Sequence, residues 1–130
     1  MTEINSKTVI ASKSAKDLYN QLINFQNFGP MMPDSVQKFE ADESSFLFQM
    51  KGIPEVRLVL DKSEEPGLIQ FKSASSKLDF TLACLIEAID ENSCRGRFEF
   101  RANFNMMLKM MVERPLTNFI ENLADKLKEI

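Results

Sequence analysis

From residue 35 to residue 104 the chain alternates between apolar and polar side chains almost step by step. In "SSFLFQMK", Phe46, Phe48 and Met50 oppose Leu47, Gln49 and Lys51. In "EVRLVLDK", Val56, Leu58 and Leu60 oppose Arg57, Val59 and Asp61. "KLDFTLACLIEAI" puts Leu78, Phe80, Leu82, Cys84 and Ile86 on one side. "CRGRFEFRANF" is the clearest, with Phe98, Phe100, Ala102 and Phe104 facing away from Arg95, Arg97, Glu99, Arg101 and Asn103. A period of two with one dry and one wet face predicts an antiparallel sheet of about six strands over this stretch. The connectors carry turn chemistry: "KGIP" at 51–54, "EEPG" at 64–67, where Pro66-Gly67 suits a type II turn, and "DEN" at 90–92. None is long enough for a crossover helix, so parallel pairing is excluded there.

A sheet with one apolar face must be covered, and the flanking segments supply the cover. "EINSKTVIASK" reads as a first strand, rich in β-branched residues. "SAKDLYNQLINF" follows as a helix, with Ser14 as N-cap, Asp17 three residues on, and an apolar stripe of Leu18, Leu22 and Phe25. "NFGPMMP" then breaks regular structure with a glycine and two prolines. From Asn105 to Ile130 the helical period returns, with Leu108, Val112, Leu116, Phe119, Leu123 and Leu127 on one stripe. Pro115 removes a backbone donor inside it, which predicts a short Met-rich segment joined at an angle to a longer helix. With 130 residues, the chain is expected to be one α+β domain, residues 1–130, with a single sizeable core.

Charge and residue usage narrow the function classes. A net charge of −3 and a pI near 5.1, with Lys and Arg scattered among acids, argue against a nucleic-acid partner, which needs a concentrated basic patch. No apolar run reaches the roughly 20 residues of a membrane span, and "MTEINSKTV" lacks a signal-peptide core, so the expected location is cytoplasmic. The chain has no histidine, which removes the commonest general base and zinc ligand, and no Gly-rich phosphate loop. No cofactor or metal is expected. Keeping both apolar faces of the "DEN" hairpin together puts Cys84 opposite Phe98 and Cys94 opposite Ala88. The two sulfurs are then about 13 Å apart at about 3.3 Å per strand residue, too far to bridge.

The order of strand, helix, about six strands and long helix resembles the helix-grip fold of the START-like superfamily, also called SRPBCC, which includes polyketide cyclases and Bet v 1-like proteins. The opening strand with "SAKDLYNQLINFQNFGPMMP" is similar to that superfamily's first helix and following turn, and "MLKMMVERPLTNFIENLADKLKE" to its closing helix. The resemblance implies a curved antiparallel sheet of six to seven strands wrapped on the long C-terminal helix. It also implies short helices after the first strand and an apolar cavity beneath the long helix. The scaffold hosts binders, transporters and enzymes, so it carries fold further than activity.

Within that frame, eleven phenylalanines and eight methionines suggest a cavity for a flat or long apolar ligand such as a lipid, isoprenoid, polyketide or aromatic compound. The expected lining is Phe28, Met31, Met32, Phe48, Leu58, Phe80, Phe98, Phe100, Met107, Met111 and Phe119. Met31 and Met32, together with Met106, Met107, Met110 and Met111, are expected to make a deformable entrance. Catalytic residues are not expected, because the inward stripes hold almost no charge and no acid–base pair. Glu113 and Arg114 are the charged residues nearest the expected opening. Two other readings follow from the same residues. The Met-rich edge would serve a protein partner or a homodimer, and an inward carboxylate or the Tyr19 hydroxyl would mark a cyclase or dehydratase.

Overall fold

The computed structural model describes residues 2–51, 53–74 and 79–129. Leu78, expected on the inner face, and Gly52, expected in a turn, lie outside the described residues. The elements in order are β1 Thr2–Asn5, β2 Val9–Ala11, α1 Ala15–Leu22, a 3₁₀ helix Phe25–Met31, β3 Val36–Ala41 and β4 Ser45–Met50. They continue with β5 Val56–Glu64, β6 Leu68–Ser73, β7 Phe80–Asp90, β8 Ser93–Ala102 and α2 Met106–Leu127. All strands pair antiparallel in one sheet of order β1-β8-β7-β6-β5-β4-β3, with β2 also on β8. The alternating segments form β4, β5, β7 and β8, and β3 and β6 complete the expected run of about six strands. The architecture is the helix-grip fold: a curved sheet with one long helix against its apolar face.

Curvature comes from interruptions in the ladders. Pairing shifts by a residue between Val36 and Lys38, between Leu60 and Lys62, and between Ala88 and Asp90, and each extra residue bends its strand. The segment expected as one first strand is two. Asn5 pairs with Glu99 and Val9 with Gly96, so residues 6–8 hold one residue more than β8 opposite them. Ser6 fills the break: its amide donates to the Phe98 carbonyl, and its hydroxyl accepts from the Phe98 amide, both at 2.9 Å.

The β7–β8 hairpin has the expected register, with Cys84 opposite Phe98 and Ala88 opposite Cys94. Its two-residue loop, Glu91-Asn92, is held by the Asp90 carboxylate, which accepts from the Asn92 amide at 2.8 Å and the Ser93 hydroxyl at 3.0 Å. The "EEPG" turn differs from expectation. The Glu65–Pro66 peptide is cis, so Pro66 takes the third turn position, and the Gly67 amide donates to the Glu64 carbonyl at 2.7 Å.

The helices begin where side chains can cap them. The Ser14 hydroxyl accepts from the Asp17 amide at 3.1 Å, and Asn105 Oδ1 accepts from the Leu108 amide at 2.8 Å. "NFGPMMP" is not an open loop: most of it belongs to the 3₁₀ helix, whose Phe25, Phe28 and Met31 are buried. Nor does Pro115 divide the last helix, which runs unbroken for 22 residues. Val112 before the proline and Leu116, Phe119 and Ile120 after it all pack into one core, and that packing outweighs one missing hydrogen bond.

Candidate functional site

The interior between the sheet and α2 is packed with phenylalanines in two groups. One joins the 3₁₀ helix, β4, β6 and α2. Phe28 stacks on Phe46 with ring centroids 5.2 Å apart, Phe46 meets Phe71 edge-on at 5.0 Å, and Phe48 stacks on Phe119 at 5.0 Å. The other lies on β7 and β8, where Phe80 stacks on Phe100 at 4.9 Å and Phe100 meets Phe104 at 6.1 Å. This second group sits at the end of the sheet from which α2 departs, because Phe80 and Ala102 form the last pair of the β7–β8 ladder. Phe104, two residues before α2, is half-buried.

Most of the expected lining meets in one core. Phe28, Met31, Phe48, Leu58, Phe80, Phe98, Phe100 and Phe119 are buried, and Met32 is half-buried and packed against them. Met107 and Met111 do not belong there, being 75% and 63% exposed. Leu108 and Val112 face inward, and residues one step before them in a helix lie about 100° round, on the outside. Met106 and Met110 are exposed as well, so all four methionines of this segment face away from the sheet. One side of the helix holds all four, because the four positions fit within about 140° of its circumference. Met31 is fully buried, so the two methionine groups form no common rim.

The inner packing includes residues that the alternation alone did not single out. Ile120 and Ala124 widen the buried stripe of α2 to two residues per turn. Gly96 on β8 lets the helix approach, because a Cβ there would stand 2.5 Å from Leu127 Cδ2. Beside Pro115, a cleft of about 510 Å³ opens between α2 and the β3–β4 edge, lined by Ser35, Met50, Lys51, Arg114, Asn118 and Glu121 among others. Arg114 was expected near an opening. Lys51 was not, and only its place immediately after the last residue of β4 signals it.

Among the described residues the buried side chains that carry an oxygen are Thr2, Ser6, Ser45 and Tyr19, the last packed in the core, and no buried side chain is charged. The arginines of the outer sheet face form ion pairs: Arg95 with Glu87 at 3.1 Å, Arg97 with Glu99 at 3.1 Å, and Arg101 with Glu99 at 2.7 Å and Glu3 at 3.5 Å. Cys84 and Cys94 are free and buried. Burial pushes the Cys84 thiol up to about 12, the opposite of what a nucleophile needs. Burial also raises Cys94. Among the described residues no group of three metal-ligating side chains occurs, and no helix is long and apolar enough to cross a membrane.

No protein-family model matches the sequence, and no curated protein matches it. Solved structures do match over nearly the whole chain. A protein from Thermus thermophilus superposes with a TM-score of 0.73 at 14% identity, covering 98% of this chain and 95% of that one. A START superfamily protein from Mycobacterium smegmatis gives 0.65 at 11% identity, with 98% and 97% covered. A norcoclaurine synthase point mutant from Thalictrum flavum, in complex with a transition state analogue, gives 0.63 at 12%, with 98% and 92% covered. At these identities the likeness is one of fold, and the fold is START-like.

Proposed function

We propose that the protein binds a small apolar ligand, such as a lipid, isoprenoid, polyketide or aromatic compound, between its sheet and α2, without transforming it. The observation that carries this reading is the weak anchoring of the start of α2 over a wholly apolar floor. Of residues 106–111 only Leu108 is even partly buried. Lifting these turns therefore breaks few apolar contacts, and segments of low contact density open at low free-energy cost. The Phe80, Phe100 and Phe104 rings lie at the end of the sheet from which α2 departs.

The lining in this reading is Leu58, Phe80, Phe98 and Phe100, with Phe104, Leu108 and Val112 closing the outer end. Phe28, Met31, Met32, Phe48 and Phe119 form the packed wall behind it. Buried apolar area supplies the affinity at about 25 cal/mol per Å² before ordering costs. Among the described residues no buried side chain is charged, so the buried Tyr19 hydroxyl has no charged partner in the core for acid–base chemistry. A structure of the same fold, the norcoclaurine synthase mutant, holds a small molecule, which supports a binding role for the scaffold. The test is uptake of a fluorescent fatty acid by wild type, Phe100→Arg and Phe104→Glu. Phe104 is half-buried, so its variant keeps the fold if Phe100→Arg does not. Loss of uptake in a folded variant is expected, and full uptake in both would refute the lining.

A further inference from the structure

The first two turns of α2 are apolar on every side except one. Leu108 and Val112 face the core, while Met106, Met107, Met110 and Met111 face outward at 78%, 75%, 79% and 63% exposure. Beyond Arg114 the outward face turns polar, with Thr117, Asn118, Glu121 and Asn122. A helix apolar all round is normally buried by something. Four methionines so exposed offer on the order of 500 Å², as large as the biggest patch on a typical monomer.

We propose that this ridge docks on a phospholipid bilayer, the methionines entering the headgroup–acyl boundary and Lys51 and Arg114 meeting lipid phosphates. Two observations about the patch choose this occupant. It is a ridge and not a groove: the side chains project from the outer side of a helix whose other side is packed, a shape that suits a deformable medium. The charge at its border is complementary to phosphate. Nine of the fifteen described lysines and arginines pair with carboxylates; Lys51 and Arg114 are among the six that do not, and the two line one cleft, together with Glu121. Arg114 follows Met110 and Met111 by one helical turn, on their face. The polar second half of the outward face limits insertion to the start of the helix.

The inference stands apart from the ligand reading. Flotation of the full chain with phosphatidylcholine vesicles, with and without phosphatidylglycerol, tests it. The wild type is expected to float with both, more fully with the anionic lipid at low salt. Replacing all four methionines by Gln, all at exposed positions, should leave the fold and reduce the bound fraction at least tenfold. Lys51→Glu with Arg114→Glu should remove the preference for phosphatidylglycerol. Wild type that stays unbound at lipid excess overturns the proposal. So does a concentration-dependent dimer in light scattering that the Gln variant abolishes, since that outcome gives the ridge to a second copy of the chain.

Discussion

Phe48 on β4 and Phe119 on α2 stack with ring centroids 5.0 Å apart and planes 13° from parallel. Both are buried, at 4% and 2% exposure, so the pair pins the middle of the helix to the sheet. Phe119→Ala removes the ring and leaves a void that the stacked ring of Phe48 only partly refills. A loss of about 3–5 kcal/mol is expected, read from the urea midpoint. A loss below about 1 kcal/mol would mean the stack is not a structural clamp.

Gly96 and Leu127 give a second, more local test. A methyl group at Gly96 would press on Leu127 Cδ2, and Leu127 is fully buried, with no empty side to turn toward. Gly96→Ala should destabilise by about 1–3 kcal/mol through overpacking. Combined with Leu127→Ala it should cost less than the two changes added together, because the second removes the atom in the way. Strict additivity would place the helix further from β8.

Cys84 sets an alkaline limit. Its thiol ionises near 9.0 when unperturbed and near 12 when buried in the fold. Between these values the unfolded chain has lost the proton and the folded chain has kept it, so stability falls as pH rises, by up to about 1.4 kcal/mol per pH unit. Below pH 9 the group contributes no slope. Urea unfolding of wild type and Cys84→Ala from pH 8 to 10.5 should show a steeper decline in the wild type. Parallel curves would count against the buried, neutral thiol.

Much of this arrangement was legible in the residues. The β7–β8 register, with Cys84 opposite Phe98, followed from two apolar faces that match around only one short loop, and slipping by one residue would have turned Phe98 and Phe100 to water. Ser14 and the stripe from Leu108 to Leu127 likewise announced both helices. The methionines were harder. Their side chains are apolar wherever they point, so the pattern of Met106, Met107, Met110 and Met111 gave no direction, and only the competing claim of Leu108 and Val112 on the inner face turned them outward. Pro115 misled because its local cost was clear and the packing on both sides of it was not. The pairing of Lys51 with Arg114 in one cleft joins β4 to α2 across 63 positions, which no local pattern spans.

The central claim is that the space between sheet and α2 takes up an apolar molecule. Native mass spectrometry of the protein from its own host, and again after incubation with a mixture of fatty acids, isoprenoids and aromatic compounds, addresses it most directly. The account expects a discrete excess mass that vanishes on denaturation and is missing from Phe104→Glu. A bare protein mass under both conditions would contradict it.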